Sequence, residues 1–130
     1  MRKLILVLLA ACAACAACST GAPAPQTGQG DTLARIRALA ADAACTEDSQ
    51  CHSLALGARA CGGPEGYLAW SSAHTRPAEI QALGQQYQAE RRAANTASGT
   101  ISTCVFLPDP GAECRAGTCQ LRKNGAPAVM

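Results

Sequence analysis

Cys45, Cys51, Cys61, Cys104, Cys114 and Cys119 constrain this chain more than any other feature, because they sit in the part able to fold. An even set of cysteines in a small chain with few bulky apolar residues marks a disulfide framework, since so thin a core rarely holds a fold alone. The apolar fraction is 48% of 130 residues, but alanine supplies much of it, and the aromatics are one Trp, one Phe and two Tyr. That length admits one compact domain beside any targeting segment and excludes a multidomain enzyme. Three bridges at about 2–4 kcal/mol each would match the net stability of a small domain. Six cysteines allow fifteen pairings, and spacing does not choose among them. If Ala116-Gly117 closes a two-residue hairpin, Cys114 faces Cys119, and a Cys45–Cys51 loop with a Cys61–Cys104 crosslink completes one such set.

The N-terminus reads as a targeting segment. Arg2 and Lys3 precede an unbroken apolar stretch from Leu4 to Ala11, which has signal-peptide length and is too short to span a bilayer. The run Leu9-Ala10-Ala11-Cys12, echoed at Cys15 and Cys18, resembles the lipobox of bacterial lipoproteins. In that family a cysteine after small residues takes a diacylglyceryl thioether and becomes the new N-terminus. Cys12 fits the motif best but leaves a very short signal. Cys18 leaves a more usual one and is followed by a polar linker, so lipidation is assigned to Cys18, with Cys12 and Cys15 as alternatives. An ordinary cleaved signal peptide with Ala-x-Ala processing is the other reading. In a host with an outer membrane, Ser19 after the lipidated cysteine resembles the pattern of lipoproteins sorted to that membrane, facing the periplasm.

The expected layout is a signal peptide over 1–17, a tether over 18–30, a domain over 31–123 and an unstructured tail over 124–130. The tether assignment rests on STGAPAPQTGQG, which has no charge and no large apolar side chain. Removing Arg2 and Lys3 leaves nine basic residues against nine acidic ones. With no basic run, nucleic-acid binding has no electrostatic footprint. Membrane attachment would rest on the lipid, and several acyl chains are needed to make it stable.

Within the domain, DTLARIRALAADAA predicts a helix capped by Asp31 or Thr32, with Leu33, Ile36 and Ala40 on one face. Pro77 and Glu79 open a longer helix over about 77–96, in which Ile80, Leu83, Tyr87 and Ala94 recur at helical spacing before Gly99. Gly84 inside it costs about 1 kcal/mol relative to Ala, which predicts a neighbour packed too closely for a side chain. Strands are predicted over 52–57, 67–71, 101–107 and 118–122, with turns at Asp109-Pro110-Gly111 and Ala116-Gly117. The alternation in ISTCVFL puts Ile101, Thr103, Val105 and Leu107 on one side and Ser102, Cys104 and Phe106 on the other, as if both faces were partly covered. The fold class is α+β, a small, mainly antiparallel sheet on one long helix with a short N-terminal helix, braced by disulfides.

Several chemistries weigh poorly. Cys45 and Cys51-His52 are too far apart for haem attachment, and no CxxC offers the paired thiolates of a zinc site, so no metal or cofactor is expected. His74 with Ser71 or Ser72 could form a hydrolytic dyad, yet neither serine lies in a nucleophile elbow, and no catalytic residue is assigned. The loop Ala60-Cys61-Gly62-Gly63-Pro64-Glu65-Gly66-Tyr67 is more informative. Its glycines and proline, pinned by a cysteine, make a tight turn leading into a core strand or, with Arg59, Gly62, Gly63, Pro64 and Tyr67, a rigid recognition surface of the kind protease inhibitors display.

CGGPEGYLAWSS, a following helix, STCVFLPDPG and then C…GTC together resemble a group of small cysteine-containing bacterial exported proteins with no assigned activity, over about 45–121. That resemblance lends no catalytic residues. The expected function is therefore a lipid-anchored cell-envelope protein, not an enzyme, with an interaction or structural role and an envelope protein as partner. The alternatives are a protease inhibitor using the Arg59–Glu65 loop and a small hydrolase.

Overall fold

The structure is a computed structural model that describes residues 29–123. The expected signal peptide, all three candidate lipidation cysteines, most of the tether and the tail lie outside the described residues. Helix α1 spans Gln29–Leu39 and helix α2 spans Pro77–Ser98. Strand β1 (Cys51–Leu56) pairs antiparallel with β2 (Gly66–Ser71), and β3 (Ala112–Arg115) pairs antiparallel with β4 (Thr118–Leu121). The fold is thus a disulfide-braced α+β domain with two helices and two small antiparallel sheets. Among the described residues no helix is long and apolar enough to cross a membrane.

Helix α2 starts and stops where its sequence dictates. Pro77 occupies the first turn, where its missing N–H costs nothing, and Gly99 adopts left-handed backbone and donates to the Asn95 carbonyl to end the last turn. Ile80, Leu83 and Tyr87 turn inward and meet Ile36 and Ala40 of α1, Leu54 of β1 and Trp70 of β2 in one apolar core. Each large side chain removed from water there contributes about 1.5–3 kcal/mol. Gly84 belongs to the same face, and a Cβ at that position would stand 2.9 Å from Leu54 Cδ1. The close approach predicted from the glycine is therefore the contact of α2 with β1.

Helix α1 differs from its predicted form. It ends at Leu39, short of Ala44, the last residue of the predicted segment DTLARIRALAADAA, and Thr32 does not cap it. The Thr32 hydroxyl instead donates to Glu90 Oε1 at 2.8 Å and accepts from Gln86 Nε2 at 3.2 Å, which locks the start of α1 onto the second half of α2. At the other end of α1, the buried Thr75 hydroxyl donates to the Leu39 carbonyl at 2.6 Å, just before α2 begins. These two ties fix the helices as antiparallel neighbours.

The predicted pairing of cysteines is partly overturned. Cys61–Cys104 forms as predicted, but Cys45 bonds Cys114 and Cys51 bonds Cys119. The hairpin turn does form at Ala116-Gly117, both with positive φ, and Cys114 and Cys119 are direct partners across it. The local bridge loses because residues 43–45 lie along β4: Cys45 N–H donates to the Gly117 carbonyl and Cys119 N–H to the Ala43 carbonyl. Asp48 then accepts from the Cys114 N–H at 2.7 Å. This side-chain contact helps to hold 45–51 over the hairpin, so each hairpin cysteine meets a partner from 45–51 rather than its neighbour.

The predicted strand over 101–107 is absent. Residues 99–111 form an irregular strap that joins α2 to β3 with no strand partner. Alternation alone does not make a strand when no ladder receives its backbone groups. Nor are both faces covered: Ile101, Val105 and Phe106 are 96%, 56% and 79% exposed.

Candidate functional site

The two ends of the domain are built differently. At one end, Cys45, Cys51, Ala112 and Cys119 are buried together, and the sulfurs of Cys45, Cys51 and Cys119 all lie within 4.8 Å of one another. All three thiols are consumed in disulfides, so the cluster offers no thiolate to a metal while the bridges are intact. Ser71 is wholly buried beside it, and its hydroxyl donates to the Ala44 carbonyl at 2.7 Å.

The opposite end holds the loop over 57–65 and the strap. Two hydrogen bonds close the loop on itself, Arg59 N–H to the Gly63 carbonyl and Gly62 N–H to the Arg59 carbonyl, both 2.9 Å. Helix α2 grips the loop from the side: Asn95 Nδ2 donates to the Ala58 carbonyl at 2.7 Å, and Arg91 Nε pairs with Glu65 Oε1 at 2.7 Å. Glu65 also holds the Arg91 guanidinium above its ordinary pKa, mainly through that hydrogen bond.

The strap is tied to this loop at few points. Cys61–Cys104 is the covalent one, and both cysteines are exposed. Arg59 Nη1 donates to the Val105 carbonyl at 3.1 Å, and the Tyr67 hydroxyl donates to the Leu107 carbonyl at 3.0 Å. Burial, and then the nearby Asp109 carboxylate, push the Tyr67 phenol above its ordinary pKa, which keeps the donor protonated. Farther on, Asp109 accepts from Ser53 Oγ at 2.7 and 2.8 Å and returns the strap to the sheet.

The candidate interaction residues are thereby divided. Gly62 and Gly63 are exposed at the loop tip and Pro64 is half-buried. Arg59 and Tyr67 instead spend their polar groups on the strap. The other half of this ridge is not legible from sequence, because the alternation around Ile101, Val105 and Phe106 predicts a strand with both faces partly covered. The absence of any charge from Gly99 to Pro108 was the signal that separates this stretch from ordinary surface.

His74 does not pair with Ser71 or Ser72, the combination weighed as a hydrolytic dyad. His74 Nδ1 meets Asp42 Oδ2 at 3.1 Å, Ser71 is committed to Ala44, and it is His52 Nε2 that lies 3.2 Å from Ser72 Oγ. The His52 ring also rests 4.7 Å from the ring of Trp70. Strand pairing explains the exchange: His52 is the partner of Trp70 in the β1–β2 register, which leaves its ring beside the residue just past the end of β2. Between β1 and α2 lies one further groove of about 220 Å³, lined by Leu54, Ala55, Gln81, Gly84, Gln85 and Gln88. Compared with known proteins, the chain matches no family model, no curated protein and no solved structure.

Proposed function

We propose that the protein is a lipid-anchored component of the cell envelope, attached through Cys18 (alternatively Cys12 or Cys15), whose disulfide-braced domain has a non-enzymatic interaction or structural role. The observation that carries this reading is the buried pair of bridges, Cys45–Cys114 and Cys51–Cys119, which replaces apolar core at one end of the domain. A domain stitched in this way suits an oxidising, exported setting. The lipobox-like N-terminus supports attachment there, and the exposed ridge of loop and strap supports an interaction role.

Metabolic labelling with palmitate tests the anchor. Label retained by the wild type and lost from Cys18→Ala, with the chain in the membrane fraction, is the expected result. A soluble, unlabelled product would overturn it. A second reading, a protease inhibitor presenting the Arg59–Glu65 loop, draws on the exposed Gly62-Gly63 tip that Cys61–Cys104 pins in place. Its test is a panel of serine and cysteine proteases assayed with micromolar protein. Full activity of every protease in the panel eliminates that reading.

A further inference from the structure

We propose that the strap edge bearing Ile101, Val105 and Phe106 is a membrane-contact surface that lies in the headgroup region of the bilayer holding the N-terminus. This deepens the lipid-anchor reading and rests on it. Three observations carry it, and the first is where the chain enters. Thr32, near the start of α1, is hydrogen-bonded to Glu90 and Gln86, while Leu39, at its end, meets Thr75. The first described residues therefore lie at the end of the domain where α2 finishes and the strap begins. Eight further residues of α2 follow Glu90, a rise of about 12 Å, against about 4.5 Å for the three residues of α1 that precede Thr32. The tip of α2, from which the strap leaves, thus projects past the point of chain entry.

The second observation is reach. Residues 19–28 separate Cys18 from α1 and cannot extend beyond about 35 Å in any conformation. An acylated Cys18 would keep this end of the domain within that distance of the lipid.

The third is the chemistry and size of the surface. Ile101 and Phe106 are exposed on a stretch without charge from Gly99 to Pro108. Three such side chains fall short of the roughly 800 Å² that each side of a stable protein interface buries. They suit a domain already tethered to a bilayer, where contact is intramolecular and a small apolar area is enough to fix orientation. Of the cations beside them, Arg59 lies at the strap, where its Nη1 donates to the Val105 carbonyl, while Arg91 is paired with Glu65, so apolar area rather than net charge carries the contact.

The test uses the full lipidated protein, extracted with detergent and reconstituted into vesicles of phosphatidylethanolamine and phosphatidylglycerol, three to one, with and without brominated acyl chains. Phe106→Trp places an indole on the strap, Ile101→Trp repeats the measurement if that variant folds poorly, and Gln120→Trp reports from β4 at the opposite end. Wild-type Trp70, buried in the core, supplies the background. At least twofold quenching of the strap indole by brominated lipid, with none at position 120, is the expected result. Vesicle-bound protein whose strap indole is unquenched, or quenched equally with that at 120, overturns the proposal and leaves the anchor standing. Protein that fails to float with the vesicles overturns the lipid-anchor reading and this proposal with it.

Discussion

The cystine end and the strap end of this domain each use disulfides, to opposite effect. Cys45–Cys114 and Cys51–Cys119 close loops of 69 and 68 residues, and three of those four cysteines are buried. In the chain-entropy account one such closure contributes about 4 kcal/mol; the second, lying beside it, closes only a short ring and adds less. Both bridges also fill space that apolar side chains would otherwise occupy. Cys61–Cys104 fills nothing, because both its cysteines are exposed and the strap it holds has few other ties. A bridge in the core makes a fold, whereas a bridge on the surface fixes the position of a segment that packing would leave free.

The largest expected effect comes from removing a buried bridge. Cys51→Ala with Cys119→Ala should destabilise the domain by about 4–5 kcal/mol in urea unfolding, from lost closure and the cavity left behind. Cys61→Ala with Cys104→Ala should cost less, about 3 kcal/mol, because it forfeits closure of a 43-residue loop but opens no cavity, with faster hydrogen exchange confined to the strap. Equal costs for the two pairs would break the contrast. Next in size is the join between the apolar core and the sheet. Gly84→Val should cost about 2 kcal/mol, because the new side chain must displace Leu54 from 2.9 Å. A neutral result would mean that α2 and β1 are farther apart than described.

The hairpin turn offers a gain. Ala116 holds φ 51°, a left-handed conformation that a Cβ disfavours, so Ala116→Gly should stabilise by about 1 kcal/mol in thermal unfolding. Loss of stability there would show that the turn is built another way. The smallest effect is a pH dependence at the strap. The Tyr67 phenol has a raised pKa in the folded state, so its contribution is complete below the ordinary tyrosine pKa and is lost as pH rises through the folded value. Wild type should therefore lose strap protection in hydrogen exchange at alkaline pH, and Tyr67→Phe should show the weaker protection at neutral pH with less further loss. Identical profiles would show that the Tyr67–Leu107 bond does not hold the strap.

Some of this was legible in the chain. Pro77 and Gly99 bound α2, Gly84 announced a close neighbour, and Ala116-Gly117 announced the hairpin, because each signal is local and steric. The pairing of Cys45 and Cys51 was not legible, since it depends on residues 43–45 lying along β4, a contact more than 70 residues distant in sequence. Thr32 reads as a helix cap until Glu90 is beside it. The strap failed for the complementary reason: ISTCVFL has strand periodicity but meets no partner, and the unmatched alternation leaves its apolar side chains in solvent. Half of the candidate ridge, the loop from Arg59 to Tyr67, was visible through its glycines and cysteine, while the strap half was hidden by that misreading.

Two bridges join 45–51 to the hairpin, and the proposed anchor is at Cys18. The most direct measurement is the intact mass and non-reduced peptide map of the full protein extracted from membranes with detergent. The expected result is an acylated N-terminal peptide beginning at Cys18 and the bridges Cys45–Cys114, Cys51–Cys119 and Cys61–Cys104. An unmodified N-terminus, free thiols among these six, or local Cys45–Cys51 and Cys114–Cys119 bridges would contradict it.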